Sequence, residues 1–75
     1  MERYRNLAGD SGVVAYARHA DSIAVKFYNG DVYLYTYESA GKENVERMKA
    51  LARSGRGLST FISQCVREAY AEKLA

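Results

Sequence analysis

An asparagine–glycine pair, Asn29-Gly30, separates two segments of alternating apolar and polar residues, Ser22–Tyr28 and Asp31–Tyr37. Such alternation is typical of β-strands that are buried on one face. A two-residue turn of type I′ needs a positive φ at both central residues, which Asn and Gly tolerate best. The sequence therefore predicts a tight β-hairpin, which restricts the fold more than any other feature of the chain.

The two-residue turn also predicts which residues face each other across the hairpin. It places aliphatic side chains on one face and tyrosines on the other, and a slip of one residue would mix the two sets. The predicted aliphatic pairs are Phe27 with Val32, Val25 with Leu34, and Ile23 with Thr36. The predicted tyrosine face carries Tyr33, Tyr35 and Tyr37, with Lys26 opposite Tyr33.

A third strand-like segment, Val13–Arg18, precedes the hairpin, and its connection to the hairpin is less specific. A three-residue loop, His19-Ala20-Asp21, places Tyr16 and Arg18 on the tyrosine face. A two-residue loop reverses that assignment. We favour the three-residue loop because it keeps the charge of Arg18 off the core face.

Beyond Tyr37 the apolar period changes from two residues to three or four. The segment from about Ala40 to Ser54 has the pattern of an amphipathic helix, and Gly55 suits its C-terminal cap. Ser59 is placed to cap a second helix. The apolar stripe of that second helix comprises Phe61, Ile62, Cys65, Val66, Ala69 and Tyr70.

This order of elements predicts an α+β fold, in which a three-stranded antiparallel β-meander is followed by two C-terminal α-helices packed on one face of the sheet. The predicted domain spans residues 13–75, and residues 1–12 form a loosely ordered lead-in that is rich in turn residues. The helices cover the aliphatic face. The predicted core comprises Val13, Ile23, Val25, Phe27, Val32, Leu34, Val45, Met48, Leu51, Phe61, Ile62 and Val66.

The composition limits the functions open to the chain. One Cys and one His among 75 residues exclude a disulfide framework and a Cys/His zinc cage within one chain. No segment has the ~20 apolar residues of a membrane span, and no apolar run follows the N-terminal charges, so we expect a cytoplasmic protein with no membrane attachment. The net charge is only +2, but positive charge is concentrated between Lys42 and Arg56.

The tyrosine face is the sharpest functional candidate, because unpaired bases stack on aromatic rings carried by a sheet while adjacent cations contact phosphates. The candidate nucleic-acid-binding residues are Tyr16, Arg18, Lys26, Tyr33, Tyr35, Arg53 and Arg56. Two other interpretations remain open. The tyrosines could serve only to pack a half-exposed strand, or they could contact a protein partner or a second copy of the chain.

Other residues give weaker signals. The segment Gly55–Thr60 could cradle a phosphate, but a turn between two helices explains it more simply. Cys65 is expected to be a buried thiol, and His19 a solvated turn residue. No nucleophile, base and oxyanion donor come together, so no enzymatic activity, cofactor, metal or small-molecule substrate is predicted.

Several short motifs follow one another between residues 13 and 66. They are Ala15-Tyr16, the segment Val25–Gly30, the Tyr-x-Tyr pair of Tyr33 and Tyr35, and Gly55-Arg56 followed by Ile62. Their order and spacing resemble the KTSC domain, a family named for the C-terminal extension of some lysyl-tRNA synthetases and also found as free-standing bacterial proteins. The chain departs from the family where Val-Pro and an aromatic pair are usual, at Glu38-Ser39-Ala40 and Gly57-Leu58. The resemblance implies a role in binding RNA, because such a role has been suggested for the family. No activity is established for that family.

Overall fold

The computed structural model describes residues 1–7, 9 and 11–75, and Ala8 and Asp10, which fall in the predicted lead-in, lie outside the described residues. Its strands form one antiparallel sheet in sequential order. They are β1 (Glu2–Arg3), β2 (Val13–His19), β3 (Ser22–Phe27), β4 (Val32–Thr36) and β5 (Glu72–Lys73). The helices are α1 (Tyr37–Ala40), α2 (Lys42–Ser54) and α3 (Leu58–Phe61), which continues as a π-helical turn, Ile62–Val66.

The predicted α+β class with an antiparallel sheet is confirmed, but the number of elements differs from the prediction. The two-residue strands β1 and β5 extend the predicted three-strand meander on both edges, and α1 is an additional short helix. The second predicted helix ends at Val66, so that Ala69 and Tyr70 lie beyond it. None of the helices in the described ranges is long and apolar enough to cross a membrane.

The β3–β4 hairpin turns through three residues rather than two. The amide of Gly30 donates to the Phe27 carbonyl (2.9 Å), and the amide of Phe27 donates to the Asp31 carbonyl (2.9 Å). Gly30 has a φ of +95°, whereas Asn29 has no positive φ, so the predicted type I′ turn is wrong. A three-residue loop whose last residue is left-handed is the next commonest hairpin. The register therefore shifts by one residue, and β4 turns its tyrosines toward the core.

The β2–β3 connection is one residue shorter than predicted. Its loop is Ala20-Asp21, so the preferred three-residue loop is wrong, and Tyr16 lies opposite Val25. Arg18 nevertheless stays out of the core, because it lies at a corner of the sheet where its guanidinium pairs with the Glu2 carboxylate (2.9 Å). The short loop thus buries Tyr16 without burying a charge.

The two register shifts bring tyrosines and aliphatic residues onto one side of the sheet, which we call the inner face. The inner face consists of Tyr16, Ile23, Val25, Tyr33 and Tyr35. The helices cover it, and the buried core comprises Tyr4, Val13, Tyr16, Ile23, Val25, Tyr35, Val45, Met48, Ala52, Leu58, Ile62 and Val66. The opposite, outer face carries Ala15, Ala17, Ala24, Lys26, Val32, Leu34 and Glu72. Val32 and Leu34 were predicted core residues, and the shift in register moves both to the outer face.

The end of the helical region also differs from the apolar stripe predicted for the second helix. The amide of Arg67 donates to the Ile62 carbonyl (2.6 Å), five residues earlier, which closes the π-helical turn. Because a π turn is wider than an α-helical turn, Ile62 and Val66 both point into the core while Cys65 is exposed. The expected burial of the Cys65 thiol is therefore wrong.

Candidate nucleic-acid interface

Two of the three tyrosines predicted to stack on bases are enclosed by the fold. Tyr16 and Tyr35 keep only 5% and 1% of their surface exposed. The Tyr35 hydroxyl donates to the Arg67 carbonyl (3.2 Å), and burial, followed by the neighbouring Tyr33 and Tyr70, raises the pKa of Tyr35 to about 12. A neutral ring enclosed in this way offers no face to a base. The predicted stacking platform does not exist at Tyr16 or Tyr35.

The third predicted platform, Tyr33, is half-buried in an aromatic cluster at the β5 edge of the sheet. Its ring centroid lies 5.9 Å from that of Phe27 and 4.6 Å from that of Tyr70. The Lys73 ammonium lies 6.0 Å from the same centroid. These contacts occupy much of the Tyr33 ring, and the most exposed tyrosine is instead Tyr28 at the hairpin tip, which is 80% exposed.

The four predicted phosphate-binding cations do not form one surface. Lys26 is exposed on the outer face of the sheet, on the side away from the helices. Arg18 is paired with Glu2 at the β1–β2 edge. Arg53 and Arg56 are both exposed at the C-terminal end of α2, so the structure brings together this pair alone.

Arg5, which the charge pattern between Lys42 and Arg56 does not include, joins this pair. The guanidinium of Arg5 donates to the Arg53 carbonyl. The stem of Arg5 lies against Gly55, where an added Cβ would come within 3.0 Å of the Arg5 Cβ. We call Arg5, Arg53 and Arg56 the arginine patch. Within the described residues, no carboxylate pairs with any of the three guanidinium groups.

The N-terminal segment that carries Arg5 is anchored at several points. Tyr4 is 3% exposed, and its hydroxyl accepts a hydrogen bond from the Leu58 amide (3.3 Å). The Tyr4 amide donates to the Val14 carbonyl (2.9 Å), and the Leu7 amide donates to the Gly55 carbonyl (2.8 Å). Residues 1–7, which the sequence predicts as part of a loose lead-in, are thus docked between β2 and the end of α2. The alternation of Arg3, Tyr4 and Arg5 is the sequence signal that could have indicated a strand here.

A shallow cleft of about 500 Å³ lies between the β3–β4 hairpin and the helix formed by α3 and the π-helical turn. Its lining combines an aromatic and an aliphatic side chain with four neutral polar side chains. The lining residues are Phe27, Ser59, Thr60, Ile62, Ser63 and Gln64. Ser59, predicted as the cap of the second helix, lies one residue inside α3 and faces this cleft instead.

A polar network around Glu46 in α2 includes one more cation of this helix, Lys49. The Tyr37 hydroxyl donates to the Glu46 carboxylate (2.6 Å), and the Lys49 ammonium pairs with the same carboxylate (2.9 Å). Lys49 also donates to the Ala20 carbonyl (3.1 Å). The hydrogen bond from Tyr37, and then that from Lys49, holds the pKa of Glu46 below its usual value. This network ties α2 to the β2–β3 loop.

We expect the Glu46 network to make stability depend on acid pH. Because the pKa of Glu46 is lower in the folded state than in the unfolded chain, its contribution is complete above the unfolded pKa and is lost as the pH falls through the folded pKa. Glu46→Gln should therefore reduce the difference in free energy of unfolding between neutral and acid pH. Urea unfolding of the native protein and of Glu46→Gln at the two pH values measures this difference. The same difference in Glu46→Gln as in the native protein would contradict this role.

No family model matches the chain, and no curated protein or solved structure is significantly similar to it. The resemblance to the KTSC domain therefore rests on the motifs themselves. In this fold, Tyr16 and Tyr35 of those motifs are core residues, and Gly55 provides the left-handed cap of α2 with a φ of +78°. Within the described residues, no three His, Cys, Asp or Glu side chains are grouped to hold a metal ion.

Proposed function

We propose that this chain is a small, non-catalytic binding module for RNA or another single-stranded nucleic acid, with phosphates held on the arginine patch. The observation that carries the proposal is that Arg5, Arg53 and Arg56 lie around Gly55 at the end of α2 without a paired carboxylate among the described residues. A guanidinium presents a planar set of donors that matches two phosphate oxygens at once. Three such groups suit a negatively charged backbone.

The simpler interpretation is that these arginines only complement the negative end of the α2 dipole. The hydrogen bonds favour a further role. Arg5 uses one terminal nitrogen to donate to the Arg53 carbonyl, which leaves most of its five N–H donors available. The side chains of Arg53 and Arg56 donate no hydrogen bond within the described part of the chain. Donors of this kind are free to meet a ligand.

We expect Arg56→Gln to weaken the binding of a short oligouridylate and to reduce the slope of log affinity against log salt by about 0.7, the value for one phosphate contact on a single strand. Arg5→Gln and Arg53→Gln should act in the same way. Lys26→Gln is the matched control, because it removes the same charge from the outer face. Fluorescence anisotropy over a series of salt concentrations measures these affinities.

An equal loss of affinity in Lys26→Gln would mean that net charge alone attracts the strand. Absence of any salt-dependent binding by the native protein would contradict the proposal outright. Either result would leave the arginines as helix-terminal residues.

Self-association is the second candidate function, and the outer face of the sheet favours it. The helices pack on the inner face, and the outer face presents one row of Ala17, Ala24, Leu34 and Glu72, with Lys26 and Val32 in the next row. A second copy turned through a two-fold axis would bring its glutamate toward the lysine of the first. A mass that rises with concentration and falls in Lys26→Glu, without any response to oligouridylate, would favour this function over RNA binding.

A further inference from the structure

The cleft beside α3 has a chemistry that the arginine patch does not share. It is lined by Phe27 and Ile62 together with four neutral polar side chains, which carry three hydroxyls and one amide and which we call the rim. The rim residues are Ser59, Thr60, Ser63 and Gln64. None of these four side chains makes a hydrogen bond within the described residues. The cleft therefore suits a flat, uncharged group that has both donors and acceptors on its edge.

The backbone below the cleft is unusual as well. Ile62, Ser63 and Gln64 belong to the π-helical turn, and π turns within helices occur frequently at functional sites. The turn ends at Arg67, whose φ of +32° is unfavourable for a residue with a side chain. A regular α-helix would avoid both features. Because Ile62, Ser63 and Gln64 of the turn line the cleft, the turn shapes the cleft as well as the core.

The cleft and the arginine patch are neighbours along the chain. Ser59 follows Arg56 by three residues, which limits their Cα separation to about 11 Å. A neutral aromatic-walled cleft next to a cationic surface matches the two parts of a nucleotide, whose base is flat and uncharged and whose phosphate is anionic. One strand can therefore engage both surfaces.

We infer that the cleft takes an unpaired base of the strand whose phosphates lie on the arginine patch, with the base against Phe27 and its edge toward Ser63 and Gln64. This inference rests on the proposed function and names the form of nucleic acid that the site selects. A base inside a duplex is stacked and paired, so neither its face nor its Watson–Crick edge is available. The module accordingly prefers single strands.

The test compares three probes of equal length: an oligouridylate, the same strand with abasic residues, and a duplex. Loss of a stacked base lowers affinity by about fivefold to 150-fold. We expect the abasic strand and the duplex to bind more weakly by a factor in this range. Phe27→Leu should weaken the binding of the oligouridylate but leave that of the abasic strand unchanged. Tyr28→Leu is the matched control, since it removes a neighbouring ring that does not line the cleft.

Gln64→Ala supplies a second variant, because Gln64 is exposed and its truncation leaves the core intact. Gln64→Ala should also lower the affinity for the oligouridylate and leave the affinity for the abasic strand unchanged. Equal affinity for the oligouridylate, the abasic strand and the duplex, with continued dependence on Arg56, would overturn the inference and leave the proposed function standing. Absence of binding by all three probes would overturn both.

Discussion

Tyr35→Ala should strongly destabilise the protein. Tyr35 is 1% exposed at the centre of the inner face, and its ring packs at 82° to that of Tyr70 with centroids 6.2 Å apart. Truncation of a buried aromatic side chain to Ala costs about 3–5 kcal/mol. A chain of this length has a free energy of unfolding of about 4–11 kcal/mol. The substitution therefore removes a large part of the total, which far-UV circular dichroism and urea unfolding will measure.

Two variants show whether burial of the ring is the cause. Tyr35→Phe keeps the ring and loses only the hydrogen bond to the Arg67 carbonyl, which should cost about 1 kcal/mol. Tyr28→Ala truncates an 80% exposed ring of the same type and should change stability by less than about 0.5 kcal/mol. If Tyr35→Ala instead kept its stability and lost affinity for oligouridylate, Tyr35 would lie on an exposed tyrosine face and the register described above would be wrong.

The class of the fold was predictable from periodicity, whereas the register of the sheet was not. The change from a period of two to a period of three or four after β4 is a strong signal, and it correctly separates the strands from the helices. The register depends on the length of each loop to a single residue. In the hairpin, the Asn29 side chain accepts a hydrogen bond from the Asp31 amide (3.1 Å), a common local alternative to the left-handed conformation for Asn. An Asn-Gly pair fits both a two-residue and a three-residue hairpin loop. The alternation of apolar and polar residues does not show which side-chain hydrogen bond forms in the loop.

The alternation in β4 could not correct the error. Val32 and Leu34 occupy one face of the strand, and Tyr33 and Tyr35 occupy the other. Both sets are apolar enough to be buried, so the pattern alone does not identify the core side. The tertiary structure favours the tyrosines, because a long ring fills the space between sheet and helices and its hydroxyl still reaches a backbone carbonyl, as that of Tyr35 does.

The candidate site was predictable only in part for a similar reason. The concentration of positive charge in α2 and just after it predicts Arg53 and Arg56 as candidate phosphate-binding residues. Arg5 is distant from them in sequence and joins them because Tyr4 enters the core and carries the N-terminal segment across the end of α2. No local pattern contains that contact. It depends instead on the space that Gly55 leaves beside Arg5.

Gly55→Ala should therefore destabilise the protein and disrupt the arginine patch together. Gly55 has a φ of +78°, where a Cβ costs roughly 1–2 kcal/mol. The added Cβ would also lie 3.0 Å from the Arg5 Cβ and 3.3 Å from the Leu7 Cγ. Overpacking of this kind adds about 1–3 kcal/mol. We expect a total loss of about 2–5 kcal/mol in urea unfolding, accompanied by displacement of the N-terminal segment.

Gly57→Ala is the matched control, because Gly57 has the same φ of +78° but its added Cβ would meet nothing closer than the Leu51 Cδ2 at 3.8 Å. It should show the conformational cost without the clash, so the difference between the two variants measures the packing of Arg5 and Leu7 on Gly55. Gly55→Ala should also lower the affinity for oligouridylate by the same factor as Arg5→Gln, whereas Gly57→Ala should not. Equal losses of stability in the two variants would mean that the N-terminal segment is not packed on Gly55. The arginine patch would then consist of Arg53 and Arg56 alone.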